Sequence, residues 1–453
     1  MDTIAAISTG NTLSAIGILR VSGEGSFAIC GKVFRSANGR PLEEQTPREM
    51  VLGRLLDREG RAVDACLAVR FPGPRSYTGE DSVEFHCHGS PVVLEEGLRA
   101  LFAAGARQAE RGEFTKRAFL SGNIDLTQAE AVIDLIEAET AGAARNAVEQ
   151  LDGSLRRRIE GVYGELLNIA SQFYAVVDYP DEDIEDLRLG DITGCLEKSV
   201  RALEALLATF DRGQVLRQGV PTAILGRPNV GKSSLLNALV GYERAIVTDV
   251  AGTTRDTVEE KAVVGGVLLR LIDTAGIRDA ADAVERLGVD RARQAMERAA
   301  LILLVEDGGG MDQDLLEAVA GSGKPWVCIA SKRDLPGRAQ AGPPEGPFCP
   351  DAFVSLSTLT GEGLEELEKT VARLFPSGDA PSGQILTNPR QAGAVTRASQ
   401  ALRRAREALD AGLTPDAVLT DVESALSALG ELTGRTLRED LVQNIFDRFC
   451  VGK

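Results

Sequence analysis

Short apolar runs separated by glycine, proline and charged turns characterise the first 120 residues of the chain. Three of these runs predict β-strands, at Ala15–Val21, Ala65–Phe71 and Ser82–His88. Apolar residues then recur at helical spacing over Val92–Ala104. The pattern therefore predicts a mixed α/β domain over residues 1–120.

The pattern becomes helical from Leu126 onward, where apolar residues recur with charged residues between them and without proline. Thr127 is followed three residues later by Glu130, which predicts a capping box at the start of this helix. Helical spacing continues to Val177. We expect the first part of a helical domain over residues 121–217.

Strands and helices alternate from Pro221 to about Phe375, and a linker rich in proline, glycine and serine follows at residues 376–384. Three helical patterns come after the linker, at Ala394–Ala411, Ala417–Leu432 and Leu437–Phe449. Helices on both sides predict an α/β domain over residues 218–376 that is inserted into a helical domain, whose second part is residues 377–453. The predicted fold class is thus α/β and α.

The overall composition excludes several classes of protein. Of the 453 residues, 43% are hydrophobic and 26% are charged, which is typical of a globular chain with several domains. No apolar run approaches the ~20 residues that span a bilayer, and the N-terminus lacks a signal peptide, so we expect a cytoplasmic protein without membrane contact. Seven scattered cysteines without a C-x-x-C pair favour a reducing compartment.

The charge and the histidine content limit the chemistry further. Fifty Lys and Arg against 67 Asp and Glu give a net charge of −17, which argues against nonspecific coating of nucleic acid but leaves local basic patches open. The chain has two histidines, His86 and His88, so Ser-His-Asp hydrolases and multi-histidine metalloenzymes are excluded. They alternate along one predicted strand, where packing or framing of a site is favoured over metal binding.

A glycine-rich loop between a strand and a helix predicts nucleotide binding. Residues 226–233 read Gly-Arg-Pro-Asn-Val-Gly-Lys-Ser, after a predicted strand at Thr222–Leu225 and before a predicted helix at Ser234–Val240. The glycines let backbone N–H groups surround phosphate oxygens. Lys232 reaches the β and γ phosphates, and the Ser233 hydroxyl ligates Mg²⁺.

Three further motifs follow in the order expected of a GTPase. Thr254 offers a second hydroxyl to Mg²⁺, Asp273 follows a predicted strand at Leu268–Ile272, and Asp334 follows a predicted strand at Trp326–Ala330 and can accept two N–H bonds from guanine. The predicted GTP-binding residues are Asn229, Val230, Gly231, Lys232, Ser233, Ser234, Thr248, Asp249, Val250, Ala251, Gly252, Thr253, Thr254, Asp273, Thr274, Ala275, Gly276, Ser331, Lys332, Asp334 and Ser357.

Three positions within this set depart from common GTPases or have two interpretations. Ile277 stands where Ras-type GTPases have a water-orienting Gln, so the water must be positioned from elsewhere; Glu285 is a candidate, although most such glutamates are solvated helix-face charges. Ser331 replaces the usual Asn of the guanine-reading motif, so we expect guanine specificity through Asp334 with weaker affinity. Asn229 could cap a turn or help to hold a monovalent cation.

The chain resembles the MnmE (TrmE) family of tRNA modification GTPases over essentially its whole length. The diagnostic segments are Tyr-Thr-Gly-Glu-Asp at 77–81, Gly-Glu-Phe-Thr-Lys-Arg-Ala-Phe at 112–119 and Cys-Val-Gly-Lys at 450–453. The resemblance implies an N-terminal α/β domain that binds folate and forms a homodimer, a helical domain, and a P-loop GTPase (Ras-like) domain inserted into the helical one.

The resemblance also implies a reaction on tRNA. Together with the flavoprotein MnmG (GidA), in a hetero-tetramer or larger complex, the family installs an aminomethyl or carboxymethylaminomethyl group at C5 of the wobble uridine U34. The carbon comes from a tetrahydrofolate derivative in the 5-formyl or 5,10-methylene form. The chain has no G-x-G-x-x-G motif, in agreement with FAD on the partner only.

The resemblance assigns residues by position. It implies K⁺ at Asn229, Thr248, Val250 and Thr253, Mg²⁺ at Ser233 and Thr254, a catalytic glutamate at Glu285, and folate contacts at Arg20, Glu84, Asn123 and Lys453. The family usually has Lys at the position of Asn123. Cys450 belongs to the tail motif, and its thiol is either reactive near the folate or packed as a small hydrophobe.

Two alternatives stay open from the sequence. A ribosome-assembly GTPase of the Era or EngA type would share the phosphate loop, but such proteins lack the segment at 77–81 and the tail at 450–453. A dimerising scaffold with degenerate nucleotide binding is suggested by Ser331 and Asn123. The sequence does not indicate which tRNAs are modified or whether glycine or ammonium is the amine donor.

Overall fold

The computed structural model of the chain describes residues 2–10, 12–178, 189–242, 260–272, 285–335, 342–343, 348–376, 383–435, 442 and 445–453. The chain divides into two compact units. The first unit comprises Met1–Ile133, Gln150–Pro180 and Leu419–Lys453, and the second comprises Asp134–Glu149 and Asp181–Val418. The predicted domain boundaries stay predictions, whereas the architecture of the units agrees with the predicted fold class.

A seven-stranded sheet forms the centre of the first unit. Its strands are β1 Ile4–Ile7, β2 Ser14–Ser22, β3 Phe34–Ser36, β4 Val51–Leu56, β5 Ala62–Phe71, β6 Ser82–Gly89 and β7 Arg107–Gln108. They lie in the order β3-β4-β5-β6-β2-β1-β7. All neighbours are antiparallel except β1 and β7. The three apolar runs predicted as strands lie within β2, β5 and β6.

The pleat of this sheet separates a packed face from an open one. Phe85 on β6 is fully buried in a core that includes residues of helices α1 (Ser26–Val33) and α2 (Pro91–Ala104). Side chains at alternate positions point to the other face. Arg20 on β2 and Glu84 on β6 are direct cross-strand partners on that other face. The alternation therefore brings two charged residues together on the side of the sheet opposite the helices.

The further α-helices of the described residues are α3 Glu113–Leu120, α4 Leu126–Ile136, α5 Ala141–Leu151, α6 Ser154–Asp178, α7 Leu189–Leu207, α8 Phe210–Gln218, α9 Lys232–Tyr242, α10 Glu285–Arg298, α11 Gln313–Ala320, α12 Leu364–Leu374, α13 Pro389–Asp410 and α14 Pro415–Thr433. The helices predicted at Val92, Ala394 and Ala417 are confirmed as α2, α13 and α14. Much of the helix predicted at Leu437–Phe449 lies outside the described residues. None of the helices in the described part of the chain is long and apolar enough to cross a membrane.

Helix α4 begins at Leu126 with a cap that differs from the predicted one. The Asp125 carboxylate accepts hydrogen bonds from the Thr127 hydroxyl at 2.7 Å and from the Gln128 backbone N–H at 2.8 Å. The Gln128 side-chain oxygen accepts the Asp125 backbone N–H at 3.0 Å. This reciprocal pair is a capping box that lies two residues earlier than the predicted pair of Thr127 and Glu130. The predicted pairing of Thr127 with Glu130 is wrong, because the helix has already begun at Thr127.

A six-stranded sheet forms the centre of the second unit. Its strands are β8 Val220–Leu225, β9 Glu260–Val264, β10 Val267–Ile272, β11 Leu301–Glu306, β12 Trp326–Ala330 and β13 Ala352–Ser355. Their order is β13-β12-β11-β8-β10-β9, and only β9 runs antiparallel to its neighbour. The strand order reverses around β8, so the carboxyl ends of the parallel strands border the crevice in which such sheets bind ligands. The predicted strands at Thr222, Leu268 and Trp326 are confirmed.

Helix α8 leads directly into β8 and packs closely against the segment before α13. A Cβ added to Gly213 in α8 would lie 1.8 Å from the Leu386 carbonyl oxygen and 3.1 Å from the Ile385 side chain. The absence of a side chain at this helical position therefore lets two backbone segments meet.

We predict that Gly213→Ala destabilises the protein by about 2 kcal/mol, since overpacking against backbone costs about 1–3 kcal/mol. Gly194→Ala in α7 is the matched control, because a Cβ there meets no atom within 4 Å. This control should stabilise by about 1 kcal/mol through helix propensity. Urea unfolding followed by far-UV circular dichroism measures both; equal midpoints for the two variants would contradict the close packing of α8.

Candidate functional site

The loop between β8 and α9 bends around a small volume at the carboxyl edge of the second sheet. Gly226, Asn229 and Gly231 have φ angles of 146°, 65° and 104°, the left-handed region in which glycine is favoured. A Cβ on Gly226 would lie 2.2 Å from the Val305 carbonyl oxygen, so the loop passes directly over β11. Helix α9 starts at Lys232, and its N-terminal backbone N–H groups form an anion site.

Lys232 is held inside this loop. Its Nζ donates hydrogen bonds to the carbonyl oxygens of Gly226 at 2.8 Å and Arg227 at 2.7 Å. Burial lowers the pKa of the Lys232 ammonium. Ser233 and Ser234 are exposed in the first turn of α9. The loop thus gathers one cation, two hydroxyls and a helix N-terminus, which is the set that binds a polyphosphate.

The turn after β12 is attached to the same loop. The Ser331 hydroxyl donates to the Val230 carbonyl oxygen at 2.5 Å, and the Lys332 Nζ donates to the Asn229 carbonyl oxygen at 2.6 Å. Ser331 is 4% exposed, so its hydrogen bond is shielded from water. One hydroxyl therefore links the predicted guanine-reading turn to the phosphate loop, although serine is shorter than the usual asparagine.

The Asp334 carboxylate is oriented by a second serine. Its Oδ1 accepts the Ser357 hydroxyl at 2.7 Å, and Ser357 is fully buried in the turn after β13. The Ser357 Oγ also accepts the Thr360 backbone N–H at 3.3 Å, which fixes the hydroxyl. Asp334 itself is exposed at the carboxyl edge of the sheet. Its carboxylate is therefore accessible to the N–H donors of a ligand, and its role in reading guanine stays a prediction.

Part of the predicted GTP-binding set lies outside the described residues, namely Thr248, Asp249, Val250, Ala251, Gly252, Thr253, Thr254, Asp273, Thr274, Ala275 and Gly276. Glu285 is the first residue of α10, and its side chain is not among those described. The structure therefore brings together Asn229, Lys232, Ser331 and Asp334. The catalytic and metal-binding assignments stay predictions.

Two carboxylates beside the phosphate loop were not singled out by sequence reasoning. Asp307 Oδ2 accepts the Lys332 Nζ at 2.8 Å and so orients that lysine. Glu306 is 6% exposed, its Oε2 accepts the Gly308 N–H at 3.0 Å, and its Oε1 has no hydrogen-bond partner among the described residues. Burial, followed by the neighbouring Asp307 charge, raises the pKa of the Glu306 carboxyl. The sequence signal was their position at the end of a buried strand, where Glu306 is the last strand residue and Asp307 follows it.

A second group of predicted residues converges on the open face of the first sheet. Arg20 Nε donates to Glu84 Oε1 at 2.8 Å, and both side chains are mostly buried. The Lys453 ammonium interacts electrostatically with both groups. Burial, and then the Arg20 charge, lowers the pKa of Lys453, whereas the Glu84 charge raises it. Three of the four predicted folate residues thus lie together, although they come from β2, β6 and the last residue of the chain.

The C-terminal tail reaches this cluster through backbone pairing. Val451 forms an antiparallel bridge with Arg111, and the Lys453 carbonyl oxygen accepts the Phe114 N–H at 3.2 Å. The Ser8 hydroxyl donates to the Gly452 carbonyl oxygen at 3.0 Å. Gly452 has a φ of 100°, and a Cβ there would lie 2.1 Å from the Ile7 carbonyl oxygen, so only glycine suits this position. The tail is therefore built into the first unit.

Asn123, the fourth predicted folate residue, holds the loop of Ser76 and Tyr77 by hydrogen bonds. Its Nδ2 donates to the carbonyl oxygens of Ser76 at 3.0 Å and Tyr77 at 3.2 Å. The Arg20 guanidinium lies 5.8 Å from the Tyr77 ring and 5.7 Å from the Phe114 ring, distances at which a cation and an aromatic ring attract each other. Asn123 thus holds the loop that carries an aromatic ring against Arg20. Sequence reasoning missed Tyr77 as a member of this cluster.

The diagnostic segments at 77–81 and 112–119 contact each other through a buried ionic network. Arg117, 5% exposed, donates to the carboxylates of Glu80 at 2.9 Å and Glu113 at 2.8 Å. Arg107 also pairs with Glu113 at 2.6 Å. Burial raises the pKa of Glu113, but these two arginines and a backbone N–H together lower it to about 2. The network fixes the loop at 77–81, which carries Tyr77 to Arg20.

The two histidines of β6 have different environments. His88 is exposed and its Nδ1 lies 2.8 Å from Asp64 Oδ1. His86 lies beside Glu84, with 3.4 Å between Nε2 and Oε2. No group of His, Cys, Asp and Glu side chains in the described parts of the chain could hold a metal ion. Cys450 is exposed in the tail and interacts electrostatically with Lys453.

Arginines on the helices could be solvated charges or contacts for a nucleic acid backbone, and several of them are partly neutralised by acids. Arg403 pairs with Glu204, and Arg406 approaches Asp410 at 3.4 Å. In the first unit, Arg156 Nε lies 3.1 Å from a carboxylate oxygen of Glu160. These pairs favour the solvated interpretation for the helices that carry them.

Comparisons with known proteins agree with this arrangement. The family model described as MnmE helical domain matches residues 126–450, and the model described as GTP-binding protein TrmE N-terminus matches residues 3–123. The chain is 42% identical to the tRNA modification GTPase MnmE of Heliobacterium modesticaldum, covering 100% of this chain and 99% of that protein. It is 43% identical to the tRNA modification GTPase MnmE of Roseiflexus castenholzii, covering 100% and 99%.

A solved structure also matches in part. The G domain of the T. maritima FeoB iron transporter is 26% identical, with 34% of this chain and 96% of that chain covered. The TM-score is 0.24, so this likeness carries no structural argument.

We predict that Ser331→Ala weakens GDP binding about five-fold, because the loss of one shielded hydrogen bond costs about 1 kcal/mol. Preference for GDP over ADP should persist, since Asp334 is unchanged. Ser322→Ala is the control, because its hydroxyl bonds the Val319 carbonyl in a turn before β12. Titration calorimetry measures both variants; equal GDP affinity in Ser331→Ala and wild type would refute the role of this hydroxyl.

We predict that Glu306→Gln stabilises the second unit at pH 8 by on the order of 1 kcal/mol, because a buried, incompletely paired charge is removed. Because the pKa of Glu306 is raised in the folded state, its protonated carboxyl stabilises the fold at pH values below the unfolded-state pKa of about 4.3. This contribution is lost as the pH rises through the folded-state pKa. The advantage of the variant should therefore diminish toward pH 5. Urea unfolding is followed by fluorescence of Trp326, the only tryptophan, which lies on β12.

The control for this prediction is Glu317→Gln at an exposed position of α11. This control variant should change the urea midpoint only slightly, and by the same amount at pH 5 and at pH 8. A difference between Glu306→Gln and wild type that is the same at both pH values would contradict the account of Glu306.

Proposed function

The chain belongs to the MnmE family of tRNA modification GTPases, and we propose that it hydrolyses GTP to drive modification of cytoplasmic tRNA at C5 of the wobble uridine U34. The group added is aminomethyl or carboxymethylaminomethyl, and the carbon comes from a tetrahydrofolate derivative, 5-formyl or 5,10-methylene. The flavoprotein MnmG (GidA) supplies FAD in a hetero-tetramer or larger complex. The observation that carries the GTPase part is the attachment of the guanine-reading turn to the phosphate loop.

GTP is bound by the phosphate loop and the turns after β12 and β13. The backbone around Gly231 and the Lys232 ammonium hold the phosphates, and Asp334, oriented by Ser357, accepts the N–H donors of guanine. The hydrogen bond from Ser331 to Val230 keeps the base and phosphate sites at a fixed separation. This arrangement supports selection of a guanine nucleotide by its base and its phosphates together.

The residues of the loop are suited to hard cations. Asn229 is exposed with a left-handed backbone, and its amide oxygen is a ligand type that K⁺ accepts. We assign K⁺ to Asn229 with Thr248, Val250 and Thr253, and Mg²⁺ to the hydroxyls of Ser233 and Thr254. When bound, these ions supply positive charge to the phosphate oxygens. Glu285 at the start of α10 is assigned to orient the attacking water.

The cluster on the first sheet is assigned to the folate. Glu84 offers a carboxylate to the N–H donors of a pterin ring, and Arg20 and Lys453 offer positive charge to the carboxylates of the folate tail. The Tyr77 ring beside Arg20 supplies an aromatic surface. Asn123 contributes by holding the loop of Tyr77. The uncharged Asn123 thus has a role that does not need the lysine usual in the family.

The open face of the first sheet supports a homodimer. Leu52 and Leu67 are adjacent across β4 and β5, and Ile16 lies on β2 on the same face. Their side chains are 56%, 37% and 58% exposed, an apolar surface that a second copy of the chain would cover. The face borders Arg20 and Glu84, so dimerisation would also enclose the folate cluster.

The test of this function is GTP turnover in KCl and in NaCl at equal ionic strength. Wild type should turn over GTP at least ten-fold faster in KCl, since the cation replaces the charge of an arginine finger. Glu285→Ala should lose turnover by about 100-fold or more and keep GDP affinity, because general-base contributions are of this size. Glu297→Gln, an exposed glutamate of the same helix, is the control. Equal turnover in both salts would overturn the cation assignment.

A further inference from the structure

His86 is placed to control the carboxylate of the folate cluster. Its side chain is 20% exposed, and that of Glu84, two residues earlier on β6, is 18% exposed. His86 Nε2 lies 3.4 Å from Glu84 Oε2, is shielded from solvent, and has no hydrogen-bond partner in the described part of the chain. A shielded imidazole nitrogen without a hydrogen bond is costly, so its orientation beside Glu84 calls for an explanation.

The two oxygens of Glu84 differ. Oε1 accepts the Arg20 Nε at 2.8 Å, whereas Oε2 faces His86 and receives no hydrogen bond from the described residues. Oε2 is therefore the oxygen available to an N–H donor of a ligand. A protonated imidazole would take the same oxygen, because charge-assisted N–H···O bonds close to about 2.7–2.9 Å. From the observed 3.4 Å, a movement of about 0.5–0.7 Å at His86 is sufficient.

The groups directly opposite His86 on the two neighbouring strands are apolar. Its cross-strand neighbours are Ile18 on β2 and Leu67 on β5. The charged and titratable groups near Glu84 are Arg20, which pairs with it, and Lys453, which interacts electrostatically with both Glu84 and Cys450. Asp64 on β5 is paired with His88.

We propose that His86 is a positioning residue that makes folate binding depend on pH, because its imidazolium occupies Glu84 Oε2 and its neutral form releases that oxygen to the pterin N–H donors. The proposal rests on the proposed folate site. Imidazole side chains ordinarily titrate near pH 6.5, inside the range 5.5–8, and a variant at position 86 separates this contribution from those of Lys453 and Cys450. Folate affinity should therefore increase across this range as the neutral imidazole becomes dominant.

The first test is binding of 5-formyltetrahydrofolate to the full-length protein between pH 5.5 and pH 8, measured by titration calorimetry. Wild-type affinity should rise about five-fold, the size of one charge-assisted hydrogen bond. His86→Asn, which does not titrate, should bind at pH 5.5 as tightly as at pH 8. His88→Asn should keep the wild-type slope, because His88 pairs with Asp64 instead. A wild-type slope in His86→Asn would overturn the proposal.

A second measurement needs no folate. The chain has two histidines, so each imidazole signal in a ¹H–¹³C spectrum is assigned by the variant that lacks the other. Glu84→Gln should change the pH response of the His86 signal and leave that of the His88 signal unchanged. An unchanged His86 titration would overturn the coupling. Failure of wild type to bind the folate at any pH would overturn the folate site itself, and the spectrum separates that outcome from a missing His86–Glu84 interaction.

Discussion

Two hydrogen bonds from one turn to one loop organise the nucleotide site of this chain. The Ser331 hydroxyl and the Lys332 ammonium donate to the carbonyl oxygens of Val230 and Asn229, so the turn that reads the base cannot move independently of the loop that surrounds the phosphates. The parallel order of β8, β11 and β12 makes these contacts possible, because it places the carboxyl ends of these strands at one edge. Asp307 completes the attachment by orienting Lys332.

The cluster on the first sheet also brings together residues from distant parts of the sequence. Cross-strand pairing aligns Arg20 with Glu84, and the tail delivers Lys453 because Gly452 lets the backbone approach Ile7. In both sites short-range pairing of backbones determines which charges meet. In each unit a carboxylate also lies beside a second titratable group, Glu306 beside Asp307 and Glu84 beside His86.

Sequence reasoning identifies candidate residues most readily where the chemistry lies within one local motif. The phosphate loop with Lys232 and the carboxylate of Asp334 follow strands whose apolar runs are easily recognised. Lys453 was assigned to the same site as Arg20 only through the resemblance to a known family. Residue spacing could not join the two, because they lie at opposite ends of the chain. The contact of Tyr77 with Arg20 depends on tertiary packing, and a single sequence carries no signal for it.

The most direct test of the account is mass spectrometry of wobble uridines in tRNA from cells that lack this protein, with and without the gene restored. The account predicts that the C5 aminomethyl-type modifications disappear without the protein and return with the wild-type chain, but not with Glu285→Ala. Unchanged wobble-uridine modification in the cells that lack the protein would contradict the account.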